Sequence, residues 1–129
     1  MRSIVTAAAA AAAGTACMLT LIHPSVARAE DLVTYEVVSD DIHSASIEYQ
    51  GTANRSLIED VPLPWRMDAV VSSARGAPPE GSQIRADWHT RAAPSKWVTV
   101  RIIYQGKVIC QNTLDLGNAT CYGITRRIT

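Results

Sequence analysis

Apolar and polar residues alternate along most of this chain beyond residue 30, and a period of two is the signature of half-buried β-strands. Leu32 to Val38 sets Val33, Tyr35 and Val37 on one face. Ser39-Asp40-Asp41 turns, and Ala45, Ile47 and Tyr49 then alternate with Ser44, Ser46 and Glu48 in a second strand that ends at Gly51. Arg55 to Val61 makes a third, closed by Pro62, which has no amide hydrogen to give a ladder. A fourth runs from Trp65 or Met67 to Val71. Ser72 to Ser82, with Gly76, Pro78, Pro79 and Gly81, is the longest loop.

Gln83 to Thr90 alternates again, with Ile84, Ala86 and Trp88 facing one way and Gln83, Arg85, Asp87 and His89 the other. After the turn Ala92-Ala93-Pro94-Ser95, Trp97 to Tyr104 is a strong strand and Gln105-Gly106 a two-residue hairpin signal. Lys107 to Thr113 returns, Leu114 to Asn118 turns, and Ala119 to Ile124 ends the pattern. Seven or eight short strands with no helical stretch predict an all-β fold, a small antiparallel sandwich of immunoglobulin-like size. A small barrel gives the same string of strands. Trp65 and Trp97 are read as core residues first and as binding-site residues second.

The opening segment follows a different rule. Met1-Arg2-Ser3 is a short basic start, Ile4 to Ile22 is uncharged and Ala-rich, Pro24 breaks it, and Ala27-Arg28-Ala29 sets small residues where a signal peptidase reads. Residues 1–29 are therefore expected to be a signal peptide and 30–129 the β-sandwich domain of an exported protein. The alternative is a retained membrane anchor helix, because nineteen residues from Ile4 to Ile22 span roughly 28 Å, close to the hydrocarbon core. Composition weighs against it. Only Ile4, Val5, Leu19, Leu21 and Ile22 favour insertion strongly. Lipidation at Cys17 is a third route, poorly matched because Met18 to Ile22 stays apolar where a lipoprotein turns polar.

Export changes the meaning of the cysteines. Past residue 29 only Cys110 and Cys121 remain, and an oxidising compartment favours a disulfide between them over two buried thiols. Closing so short a loop stabilises by roughly 3 kcal/mol in the chain-entropy model. Without Arg2 and Arg28, ten basic and twelve acidic residues remain. That balance offers no footprint for nucleic acid or anionic lipid.

Candidate chemistry is sparse. His43 follows Asp40 and Asp41, and His89 follows Asp87, but a metal site needs three or four converging ligands. No serine sits in a Gly-x-Ser-x-Gly elbow, and no glycine-rich phosphate loop appears. No catalytic residue, metal or cofactor is expected, and the chain is not read as an enzyme.

From Thr34 to about residue 122 the chain resembles the MmpS family, small mycobacterial membrane proteins that accompany large lipid transporters. Paired first strands, Thr34-Tyr35-Glu36-Val37-Val38 and Ala45-Ser46-Ile47-Glu48-Tyr49, carry part of the likeness. Val61-Pro62-Leu63-Pro64-Trp65 looks like the family's Leu-Pro-Trp element. Val100 to Val108 resembles its late hairpin, with Gln105 where Asp is usual, and Cys121 falls in the terminal strand. Pro62, Leu63, Pro64 and Trp65 are read as a structural motif, a stiff extended strand exit that delivers Trp65 to the end of the core.

The resemblance implies an accessory protein of an actinobacterial cell envelope. Its partner would be a resistance-nodulation-division transporter, and it would assist lipid or siderophore export by protein contact. Ser72–Ser82 and the Gln105-Gly106 tip are its expected contact loops. The alternative is a freely secreted β-sandwich binding module without a transporter partner.

Overall fold

The computed structural model describes Gly14 and residues 29–126. The leader, its anchor alternative and Cys17 lie outside the described residues. Eight strands form: β1 (Asp31–Val38), β2 (Ser44–Gln50), β3 (Arg55–Pro62), β4 (Trp65–Val71), β5 (Gln83–Asp87), β6 (Val98–Tyr104), β7 (Lys107–Leu114) and β8 (Asn118–Tyr122). They make two four-stranded sheets, β4-β1-β6-β7 and β3-β2-β5-β8, with every neighbouring pair antiparallel. Two separate sheets make this a sandwich and exclude the closed barrel. No helix among the described residues is long and apolar enough to cross a membrane.

The alternation explains the core. Val33, Tyr35 and Val37 of β1, Ala45 and Ile47 of β2, Ile84 and Ala86 of β5, and Val98, Val100 and Ile102 of β6 are all fully buried. Inward faces of both sheets thus meet in one apolar cluster. Tyr35 adds a polar tie through it. Its hydroxyl donates to Gln50 O at 2.7 Å and accepts the Gln83 amide at 3.2 Å, so a β1 side chain joins two strands of the facing sheet.

Burial pushes the Tyr35 phenol up to about 12, against the opposing pull of the Gln83 amide. Its proton is held more tightly folded than unfolded. The stability this provides is whole below pH 10 and disappears as the pH climbs towards 12. Tyr35→Phe should remove that alkaline slope. It should also cost about 1–3 kcal/mol at neutral pH by stranding two buried backbone groups. Denaturant melts at several pH values check both.

Antiparallel order places the start of β1 and the end of β8 at the same end of the sandwich. The end where β1 begins also carries Gly51–Asn54, Ser72–Ser82, Gln105-Gly106 and the residues after β8. The opposite end carries Ser39–His43, Leu63-Pro64, the segment from Trp88 to Trp97, and Asp115–Gly117. Gln105 and Gly106 have φ of 51° and 75°, the doubly left-handed turn that suits a twisted hairpin.

Three expectations change. The strand expected over Gln83–Thr90 stops at Asp87, because the Asp87 carboxylate accepts the His89 amide at 3.1 Å and starts a 3-10 turn, His89–Arg91. The last strand ends at Tyr122 rather than Ile124. Gly123 leaves the ladder to donate to Ser82 O at 2.9 Å, at a spot where a Cβ would strike Ala74 O. Trp97 is not a core residue: it precedes β6 on the parity of Thr99 and Arg101 and is 49% exposed. Trp88 takes the interior place instead, at 1% exposure.

Candidate functional site

A charged hollow lies on the outer face of β3-β2-β5-β8, and it begins with a break in alternation. Ala45 pairs with Val61 and Ile47 with Ile58, so Glu59 and Asp60 both stand opposite Ser46. This is a β-bulge, a device that re-aims side chains near sheet edges. The extra residue leaves Asp60 at φ 55°, a left-handed conformation that Asp tolerates better than most residues. The Asp60 amide donates to Ser46 Oγ at 3.4 Å. Its carboxylate accepts from Ser44 Oγ at 3.2 Å and from Arg91 Nη2 at 3.3 Å.

The opposite wall is the end of β5, where Asp87 stands level with Ser46. Asp87 Oδ1 lies 2.7 Å from His89 Nδ1, and Oδ2 lies 3.7 Å from Arg85 Nη2. Partial burial raises the Asp87 carboxyl, but hydrogen bonds from the His89 ring and amide, with the Arg85 charge, outweigh it and hold it below the ordinary carboxylate value. The 3-10 turn then swings Arg91 back over the sheet to Asp60. Leu57, 61% exposed, is the apolar part of a space of about 460 Å³.

His89 Nδ1 is taken by Asp87, and Ser46 Oγ receives the Asp60 amide. Among the described residues no hydroxyl is hydrogen-bonded to His89, so the coupling that activates a serine is not assembled. Nor do three or more His, Cys, Asp or Glu side chains converge on a metal-sized point among the described residues. His43 sits exposed at the opening of β2, outside this hollow.

The residues singled out in the sequence serve structure. Cys110 on β7 and Cys121 on β8 are joined, with Cα atoms 5.8 Å apart. The bond crosses from one sheet to the other along the open side of the sandwich. Pro62 ends β3, Leu63 and Pro64 bend, and Trp65 opens β4. The motif thus turns the chain between sheets instead of extending it. The Leu63 amide fixes the bend by donating to His43 O at 2.9 Å.

Trp65 is half-buried against Tyr49 at 5.7 Å between ring centroids, and Tyr49 lies the same distance from Tyr35. Both expected contact loops sit at the end where β1 begins and β8 stops, away from the hollow. Sequence reading missed Asp60 and Arg91. The adjacent acids Glu59-Asp60, interrupting an alternating strand, were the available sign of a bulge.

No protein-family model matches the chain, and no curated protein matches it.

Proposed function

We propose that this chain is an exported accessory protein of the MmpS type, which assists a resistance-nodulation-division transporter in moving lipid or siderophore cargo by protein contact. The observation that carries this reading is the way the domain meets its leader. β1 begins at Asp31, two residues past Ala29. Asp31 is fastened at once: its carboxylate accepts the Ala74 amide at 2.8 Å and the Tyr104 hydroxyl at 3.1 Å. Only residues 23–30 would separate a retained helix ending at Ile22 from this body, a link of at most roughly 29 Å that would keep the sandwich close to the membrane. An accessory subunit that must stay in register with a membrane partner needs that geometry.

The test is purification of the tagged full-length chain from envelope membranes after mild cross-linking. A transporter of that class should be recovered. Recovery should fall when a flexible insert of about ten Gly and Ser residues separates Ala29 from Glu30. Membranes that yield no transporter overturn the reading.

A second reading, a freely secreted binding module, is favoured by the same junction. Cleavage after Ala29 would leave every described strand whole, since among the described residues none begins before Asp31. Fractionation separates the two. Mature protein starting at Glu30 in the medium supports secretion, and full-length chain in membranes supports the accessory role.

A further inference from the structure

Trp97 is the largest side chain found on the wrong side of the expectation. Val98, Val100 and Ile102 point into the core, so Trp97, Thr99 and Arg101 line up on the outer face of β4-β1-β6-β7. An indole left half in water gains little of the energy its burial would give, and tryptophan is enriched where one side of the ring meets a partner and the other stays wet. It is also held in place. Ser39 Oγ donates to Trp97 O at 2.7 Å and accepts the amides of Ile42 at 2.9 Å and Asp41 at 3.3 Å. One hydroxyl therefore sets both the tryptophan and the loop that carries Asp40.

Between these residues and Pro64 lies a second hollow, of about 490 Å³. That is within the usual range for small-ligand sites. Its polar groups are placed in advance and not used up. Arg101 Nε donates to Gln111 Oε1 at 2.8 Å and Nη1 to Glu36 Oε1 at 2.6 Å. Its Nη2 and the Asp40 carboxylate have no hydrogen-bond partner among the described residues. One carboxylate and one guanidinium leave the hollow without net charge, and a flat aromatic face stands beside them.

Those features select a ligand by its chemistry. An ion finds no excess of opposite charge here, and a plain hydrocarbon leaves the Asp40 carboxylate and the Arg101 Nη2 desolvated without a partner. What fits is a ring with one C–H face to lie on the indole and a rim of hydroxyls that both donate and accept. We propose that the hollow beside Trp97 binds a pyranose ring of a neutral carbohydrate. Along the same face the Thr99–Thr113 pair, at 2.9 Å, and the Arg101–Gln111 pair extend a polar row down the sheet. A linear chain of several sugars can follow that row. The proposal does not depend on the transporter reading.

The experiment titrates the purified mature chain with maltohexaose, cellohexaose, mannohexaose and chitohexaose, following the indole N–H resonances by NMR. At least one should shift the Trp97 signal saturably while Trp88, buried, stays still. Trp97→Ala should weaken that binding about tenfold or more, on the scale of other aromatic stacking sites, without lowering the melting temperature. Trp97→Tyr should stay within about threefold because it keeps a flat ring, and Asp40→Asn should weaken binding. Arg85→Ala, in the other hollow, should change nothing.

A parallel arm offers the same sugar as a glycolipid headgroup in phosphatidylcholine vesicles. Binding to the free hexasaccharide points to a polysaccharide source. Trp97-dependent binding to vesicles alone points to a membrane glycolipid, and in both cases the pyranose site stands. Binding to neither at about 10 mM sugar, or binding that Trp97→Ala leaves intact, overturns it. So does a Trp97 needed only for capturing a protein partner.

Discussion

Trp88→Ala is expected to destabilise the domain by about 3–5 kcal/mol, the range for deleting a large aromatic from a packed core. Trp88 is the largest of the fully buried side chains, at 1% exposure just past the end of β5. Its backbone is also fixed, the amide donating to Gly117 O at 2.7 Å. The indole N–H has no hydrogen-bond partner in the described structure, so the ring contributes by filling space. Trp88→Phe should therefore keep most of the stability that alanine loses. Domains of this size have roughly 5–15 kcal/mol in total, which puts the alanine variant near the edge of folding. Urea melts read at a wavelength insensitive to tryptophan decide it. A loss below about 1 kcal/mol, the level of an ordinary surface change, would mean the core is not packed around this residue.

Cutting the Cys110–Cys121 link should have the next largest effect. β7 and β8 are edge strands of different sheets, and no backbone ladder joins them. The sulfur bridge is the covalent closure of that side. With eleven residues of separation, its removal should cost about 3 kcal/mol. At about 4–8 °C per kcal/mol, the Cys110→Ala/Cys121→Ala variant should melt roughly 12–24 °C lower. Alanine is the cleaner replacement because Cys121 is buried at 1% exposure, where serine would add an unpaired hydroxyl. Calorimetry on the oxidised and variant proteins is the measurement, and matching melting temperatures would remove the bridge from any account of stability.

The succession of strands along the chain and their inward faces were legible because nearly every strand buries one side only. In β1 the reading Val33, Tyr35, Val37 was sufficient, and all three are fully enclosed. The Trp97 error came from judging a residue by type. The run Val98, Val100, Ile102 already assigned the inner parity and left Trp97 outside. Gln83 went astray for a different reason. It lies on the outer parity of β5 yet is buried, because the Arg55 guanidinium reaches across and hydrogen-bonds its side-chain oxygen. Pairwise cover of that kind has no local signature.

The same limit hid the charged hollow. Asp60 and Arg91 are thirty-one residues apart and meet only because a bulge and a 3-10 turn aim them at each other. The end of β5 was closer to readable. Asp87 two residues before His89 is a side chain placed to cap its own following amide, and capping competes with the next rung of a ladder.

The bridge between β7 and β8 also reroutes mechanical load. Tension applied between the two ends of the chain passes from residue 110 to residue 121 through sulfur, so residues 111–120 are bypassed. Roughly 35 Å of polypeptide stays slack while the rest is drawn out. A domain tethered at its front and tugged from behind would thus surrender its other strands while the segment between β7 and β8 stayed closed by its sulfur link.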